Sequence, residues 1–342
     1  MAVKSSGSLS FTEIKTEFGF PPDNKFGNYR ISETVGQMTN LPLDTGIPQS
    51  GAIKFSDFYN KKQNIIVNLF SGAPEVSVDA KLKYESNQVV VLGEGTKPTN
   101  TNGKKVIVHV NKLVNSQKSS NNKRVALLTG NWNTGTDFTI NVGTAGSISG
   151  TGGNGGAGGN AGNNAGAAGE NGTSAIGVDD PNLIVNIQNN GLIRTGFGGG
   201  GGGAGRGENR KSGKKSKKWV TSTGGGGGGG LGFPIGAGIG GLSPTDADKG
   251  TNGTAGDPAT QFNGGDGGDG GTSAAGGGHG GDNTAVGGGA GAARAPSGGT
   301  TGSIVAALGG ENGYAIVNKS GSTVNISGNA IVGRQVVGTP IK

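Results

Sequence analysis

Cysteine is missing altogether, only two histidines occur, and aromatic residues fill 5% of the 342 positions. The first absence rules out disulfides and thiolate metal sites, and it suits assembly in a reducing cytoplasm. Together with the scarcity of histidine, it leaves a poor inventory for nucleophilic or acid–base catalysis. Carboxylates are not paired in a way that suits glycoside cleavage. The stretch GENRKSGKK (Gly207–Lys215) only superficially resembles a phosphate-binding loop. Five residues rather than four separate Gly207 from Gly213, and Lys215 stands where Ser or Thr should follow Lys214. The expectation is a protein that is not an enzyme and needs no cofactor or metal. Hydrophobic residues amount to 31%, too few for one large apolar core, and they concentrate toward the two ends. The opening stretch MAVKSSGSLSF has no apolar run of the kind a secretion signal needs, and no membrane-spanning segment is apparent.

What the chain has instead is glycine, 77 residues of it. Gly153, Gly156, Gly159 and Gly162 are spaced by three; the phase slips once, and Gly166, Gly169 and Gly172 continue. Gly250, Gly253 and Gly256 keep the same spacing. Three residues per turn is the period of a polyproline-II-type helix, which makes no internal hydrogen bonds. Such helices can satisfy one another's backbone groups only where no side chain holds them apart. By that rule the uninterrupted runs 198–203 and 224–230 belong in the middle of a bundle, with 153–172 nearer its edge. A flexible linker would not require the period. Collagen is excluded by interrupted triplets and only 12 prolines. The stretch GGDGGDGG (Gly264–Gly271) lacks the aliphatic alternation of calcium-binding β-rolls, and Asp266, Asp269, His279 and Asp282 are read as solvent-facing.

The remaining segments predict a mainly β protein. Residues 1–62 read as a small module with an internal echo. SGSLSFTEIK (Ser6–Lys15) and SGAIKFSDFY (Ser50–Tyr59) share a skeleton, with Thr12 and Ser56 as candidate helix caps. Phe11, Ile14 and Phe18 would share one face of a short helix. Residues 63–142 contain NIIVNLF, EVSVDAKLKY, QVVVL, KKVIVHV, RVALL and DFTINV, short Val- and Ile-rich segments between turn residues. They predict an antiparallel β domain, with His109 an ordinary strand residue. From residue 138 a second echo begins. FTINVGTAGSISG (Phe138–Gly150), LIVNIQNNGLIRTG (Leu183–Gly196) and STVNISGNAIVG (Ser322–Gly333) share an aliphatic-Asn-aliphatic core, a turn and an Ile-containing segment. GTSAIGV (172–178) and GYAIVNK (313–319) form a related pair. Such unequally spaced repeats predict strand-turn-strand units on a shared base, anchoring long glycine-rich excursions within 143–342.

Between the two longest glycine runs lies a basic island. Arg206, Arg210, Lys211, Lys214, Lys215, Lys217 and Lys218 face only Glu208, so this island holds nearly all of the net charge of +7. At about 3.1 Å per residue, Gly198–Gly203 would rise ~19 Å and Gly224–Gly230 descend ~22 Å. Two passes of nearly equal length place the island at the end of a hairpin of helices. Its charge calls for an acidic partner. Trp219 either stacks on a sugar or clasps the loop shut against Phe197.

The stretch VNIQNNGLIRTGFGGGGGG (Val185–Gly203), the alternation of glycine tracts with polar segments and the β-rich return resemble bacteriophage tail-fibre adhesins over roughly residues 138–342. The resemblance implies a sandwich of polyglycine-II helices whose distal loops contact a host receptor. It assigns receptor binding to the island, Trp219 included. The implied partners are lipopolysaccharide or an outer-membrane protein of the host. The N-terminal SGSLSFTEIKTEFG and SGAIKFSDFY resemble a module of marine and cyanobacterial phage structural proteins, so residues 1–62 are expected to dock on other virion tail proteins. The expected location is the virion, without membrane insertion. Segments 231–262 and 272–286 would supply neighbouring loops. A passive structural or decoration fibre is the alternative. Nucleic-acid binding is less favoured, because there is one lysine cluster and little aromatic interleaving.

Overall fold

The computed structural model describes residues 3–18, 25–30, 33–35, 38–41, 46–48, 50–70, 72–89, 97, 101–117, 125–159, 165–204, 206–212, 216–222, 227, 229–232 and 307–338. For Arg30, 33–35, 38–41, 206–212 and 216–222 it describes the backbone alone.

At the N-terminus, helix α1 (Phe11–Phe18) buries Ile14 and Phe18, and Phe11 packs against the same cluster, as the spacing predicts. The cap is Ser10 rather than Thr12. Ser10 N–H donates to the Glu13 carboxylate (2.8 Å) and Glu13 N–H donates to Ser10 Oγ (3.3 Å), a reciprocal capping box. Ser56 is not a cap either; it lies inside the 3-10 turn Phe55–Phe58, where Lys54 N–H donates to Asp57 (2.7 Å). The echo therefore encodes one device twice: an acid three residues on reaches back to a free N–H. The two copies meet through Phe11 and Phe55, edge to face at 5.3 Å, beside buried Tyr29 and Phe58. Strands β1 (Glu33–Val35) and β2 (Met38–Leu41) pair antiparallel.

The β segments do not form an antiparallel domain. They coil, and each of the first four coils adds one strand to each of three parallel sheets, while the last adds a strand to two of them and a single bridge, Arg194 with Val332, to the third. The first coil is β3 (Ile65–Leu69), β4 (Glu75–Val76) and β5 (Val78–Asp79), followed by helix α2 (Ala80–Glu85) capped by Asp79, where a continuing strand was expected. The second is β6 (Lys105–Val110), β7 (Leu113–Asn115) and β8 (Val125–Leu128). The third is β9 (Asp137–Val142), β10 (Ser147–Ser149) and β11 (Ser174–Val178). The fourth begins with β12 (Ile184–Asn189) and β13 (Leu192–Arg194). The chain then makes its long excursion, which carries strands β14 (Arg206–Ser212) and β15 (Ser216–Ser222), and returns as β16 (Ile316–Asn318). The last coil is β17 (Thr323–Gly328) and β18 (Gln335–Val337). In the segment QVVVL, Gln88 and Val89 lie outside any strand, and 90–92 lie outside the described residues.

Inward-facing residues stack from coil to coil. Ile65, Val106, Phe138 and Val185 form one buried ladder and Val67, Val108, Ile140 and Ile187 another. Each such side chain stabilises the coil by about 1.5–3 kcal/mol through burial. Alternation says that one face of a strand is buried, not which way its partner runs, and this is why the strand direction was misread. The later echoes lie in register as read, with Asn186 beside Asn325 and Ile176 beside Ile316. The earliest copy is shifted by two: Asn186 stands beside Thr139, and Asn141 beside Gln188. A slip of two preserves inside and outside, so the pattern alone does not detect it.

All long excursions leave from one edge, the corner between the second and third sheets. In the first coil that corner is Ser77; in the third it is residues 150–173 and in the fourth 195–315. A buried hydroxyl cluster roots them. Thr151 N–H donates to Ser116 Oγ (3.0 Å), Thr151 Oγ1 donates to the Ser116 carbonyl (2.6 Å), and Thr173 N–H donates to the Thr151 carbonyl (3.0 Å).

Beyond this root the glycine tracts bond to one another at every third residue. Gly153, Gly156 and Gly159 donate to the carbonyls of Phe197, Gly200 and Gly203 at 2.7–2.8 Å. Gly196, Gly199 and Gly202 donate to Thr173, Glu170 and Ala167 at 2.8–2.9 Å. Gly310 and Gly313 donate to Gly199 and Gly196, and Phe197 N–H donates to Leu231 O (2.7 Å). Residues 196–203 thus have neighbours from 151–159, 167–173 and 307–313, and from Gly227, Gly230 and Leu231. There is no room for a side chain between them. A Cβ on Gly199 would lie 1.9 Å from the Asn154 carbonyl oxygen, and one on Gly169 would lie 1.9 Å from that of Gly199.

Two predictions test these contacts. Gly199→Ala and Gly169→Ala should each destabilise the protein by about 1–3 kcal/mol or more. Gly27→Ala, whose Cβ would meet open space, should change stability by less than about 0.5 kcal/mol. Calorimetric unfolding reads both. The N-terminal module is tied to the first coils by a buried ion pair, Glu17 with Lys104, and Glu17 also accepts from Gln63 N–H (2.8 Å). Glu17→Gln or Lys104→Met alone should cost about 3–5 kcal/mol in denaturant unfolding, whereas the double variant Glu17→Leu/Lys104→Met should recover most of that loss.

Candidate functional site

The basic island is a two-stranded antiparallel ribbon, β14 with β15, carried at the far end of the tract 196–204. Glycine leads into it because the tract must pass between backbones; strand pairing begins where side chains return. The register places Arg210 opposite Lys218 and Lys211 opposite Lys217, with Asn209 opposite Trp219 and Arg206 opposite Ser222. Like charges directly opposite one another destabilise a ribbon. Lys214 and Lys215 lie outside the described residues, as do Asp266, Asp269, His279, Asp282 and the proposed neighbouring loops, apart from Leu231 and Gly232. Phe197 is buried among the tracts and sits below the ribbon's first residue in sequence, with its carbonyl accepting from Gly153.

A second feature was not singled out from the sequence. An open groove of about 590 Å3 runs along the outside of the second sheet, over the turns that lead into β10 and β13. Leu113, Ser147 and Leu192 stand side by side in the strand register along it. Thr144, Asn190 and Asn329 are exposed at its rim. Arg194 reaches it from the end of β13 and is only 5% exposed. Its Nε donates to Ser149 Oγ (2.9 Å) and its Nη2 to the Gly232 carbonyl (3.4 Å), while Nη1 has no hydrogen-bond partner. Burial pulls its pKa down from the ordinary arginine value. The signal in the sequence was faint: at the matching repeat positions stand Ser149 and Val332, so Arg194 is the one charged residue of that ladder.

His109 has no partner on either ring nitrogen and stacks on Phe70 at 5.5 Å, and burial lowers its pKa. Among the described residues nothing nucleophilic or acidic is bonded to it. Among the described residues no group of three or more His, Asp or Glu could hold a metal ion, and no helix is long and apolar enough to cross a membrane.

A solved structure, the crystal structure of the gp37–gp38 adhesin tip complex of the bacteriophage S16 long tail fiber, is similar at 19% identity and a TM-score of 0.41, covering 98% of this chain and 100% of that one. No curated protein sequence matches the chain. The family model described as phage tail fibre adhesin Gp38 matches residues 76–338, from β4 through the last strand and across every glycine tract. The chain belongs to the phage tail fibre adhesin Gp38 family.

Proposed function

We propose that this adhesin binds an anionic group on the host envelope through the basic ribbon 206–222, displayed on a bundle of polyglycine-II helices. The observation that carries the reading is the cross-strand register, in which Arg210 meets Lys218 and Lys211 meets Lys217. That arrangement opposes the ribbon's own stability, and a polyanionic partner relieves the repulsion. Phosphates and acidic sugars of lipopolysaccharide, or acidic loops of an outer-membrane protein, have the required charge. The threefold hydrogen-bond spacing supports the polyglycine-II assignment: each tract offers backbone donors and acceptors in several directions, so a bundle has no need of an apolar core. A rigid base limits the entropy lost when the ribbon meets its receptor.

Residues 1–62 are the part that attaches the adhesin to other virion tail proteins. They have their own aromatic core and lie outside the matched family region. The protein is therefore a component of the virion tail, joined at one end and binding the host with the other.

The test is adsorption of virions carrying Arg210→Gln, Lys211→Gln, Lys217→Gln and Lys218→Gln together. Loss of electrostatic steering should slow adsorption at low salt by about tenfold or more, and the residual rate should depend much less on salt. Unchanged adsorption by intact particles would sink the receptor-binding role of the ribbon.

A further inference from the structure

Charge alone does not separate an acidic sugar from an acidic protein loop; the register of the ribbon does. Residues directly opposite one another in an antiparallel pair share a face, and faces alternate along each strand. One face of the ribbon therefore holds the pairs Arg206–Ser222, Glu208–Val220, Arg210–Lys218 and Ser212–Ser216. The other holds Gly207–Thr221, Asn209–Trp219 and Lys211–Lys217. On the first face Glu208 stands between Arg206 and Arg210, so an acid is already set among the bases. The second face has no acid. From the bundle outward it carries two small residues, then an amide opposite an indole, then two lysines. Phe197 is no partner for that indole: the regular bonds of 196–203 keep the tract extended, with about 19 Å between residues 197 and 203, and the ribbon begins beyond.

Resting on the receptor role given to the ribbon, we propose that its ligand is an anionic saccharide bound on the Trp219 face, the pyranose ring at Asn209 and Trp219 and the phosphate or carboxylate at Lys211 and Lys217. An aromatic ring suits the C–H face of a sugar, and an amide beside it suits the ring hydroxyls. Residues two apart on a strand are separated by about 7 Å, so one sugar with its anionic substituent spans both pairs. An acidic peptide loop would use the lysines and have no use for the pair beside them. The Arg206–Arg210 face adds attraction at a distance, and the Trp219 face adds selection.

The experiment titrates the full-length chain, by calorimetry at constant ionic strength, with an oligouronate, a phosphorylated oligoglucose, plain oligoglucose and oligoglutamate of equal length. Tryptophan emission is recorded alongside, since the chain has only buried Trp132 and Trp219. At least one anionic saccharide should bind about fivefold or more tightly than oligoglutamate and shift the emission, with plain oligoglucose weaker than both. The better of the two anionic sugars names the source, an acidic polysaccharide or a phosphorylated one. Trp219→Ala should remove the preference and the emission change, Trp219→Tyr should restore the preference, and Val220→Ala, on the other face, should alter neither. Oligoglutamate binding as tightly as both anionic sugars, or a preference that survives Trp219→Ala, would overturn the assignment. Failure of the ribbon itself reads differently. If the Arg210→Gln, Lys211→Gln, Lys217→Gln and Lys218→Gln variant binds every anionic probe as the native chain does, the receptor role falls and this proposal with it. If that variant loses them all while Trp219→Ala loses none, this proposal alone falls.

Discussion

The structure depends on hydrogen bonds between backbones that carry no side chains. In an ordinary domain, apolar burial offsets the entropy of ordering the chain. Here the tracts 151–159, 167–173, 196–203 and 307–313 bury one large side chain, Phe197, and beyond it the threonines at the root and little but glycine and alanine. Glycine costs roughly 0.5–1 kcal/mol more to order than alanine. Each hydrogen bond returns a net of about 1 kcal/mol. The balance is narrow at any one residue, so the tracts hold only collectively, and only if something fixes their ends. The parallel coil does that. Its ladders of valine, isoleucine and phenylalanine supply the hydrophobic burial that the tracts lack, and the hydroxyls of Ser116, Thr151 and Thr173 join one region to the other.

This division of labour explains what the sequence did and did not disclose. A contact line that admits only glycine leaves a period of three, and Gly153, Gly156, Gly166, Gly169 and Gly172 stand where a Cβ would strike a carbonyl within 2.2 Å. The echoes around Asn186 and Asn325, and around Ile176 and Ile316, were legible because strands in register on one face need similar residues. Strand direction was not, since a half-buried strand alternates in the same way beside a parallel or an antiparallel neighbour. Thr12 and Ser56 were misassigned as caps because the acid at the third helical position, Glu13 or Asp57, reaches farther back than the nearest hydroxyl suggested.

The candidate sites divide in the same manner. Charge density in sequence disclosed the island around Arg206–Lys218, because a local run stays local in space. The groove at Arg194 is assembled from β7, β10, β13 and the turns between them, and no single stretch contains enough of it to be noticed. Its one clue, a charge where the repeat has Ser149 and Val332, acquires meaning only after the register is known.

The corner from which the excursions leave has a consequence for how such a protein changes. Its two flanks, β13 and β16, are held by their own neighbours in separate sheets, so the coil closes whether the intervening segment is the single Ser77 of the first turn or the whole of 195–315. The entropy of closing a loop grows only logarithmically, by about 0.6 kcal/mol for each doubling of its length. Recombination that exchanges what lies between those two strands therefore leaves the closure of the coil intact, provided that the incoming segment brings glycine lines able to bond to 151–159 and 167–173, and the chain beyond those lines is free to change in one genetic event.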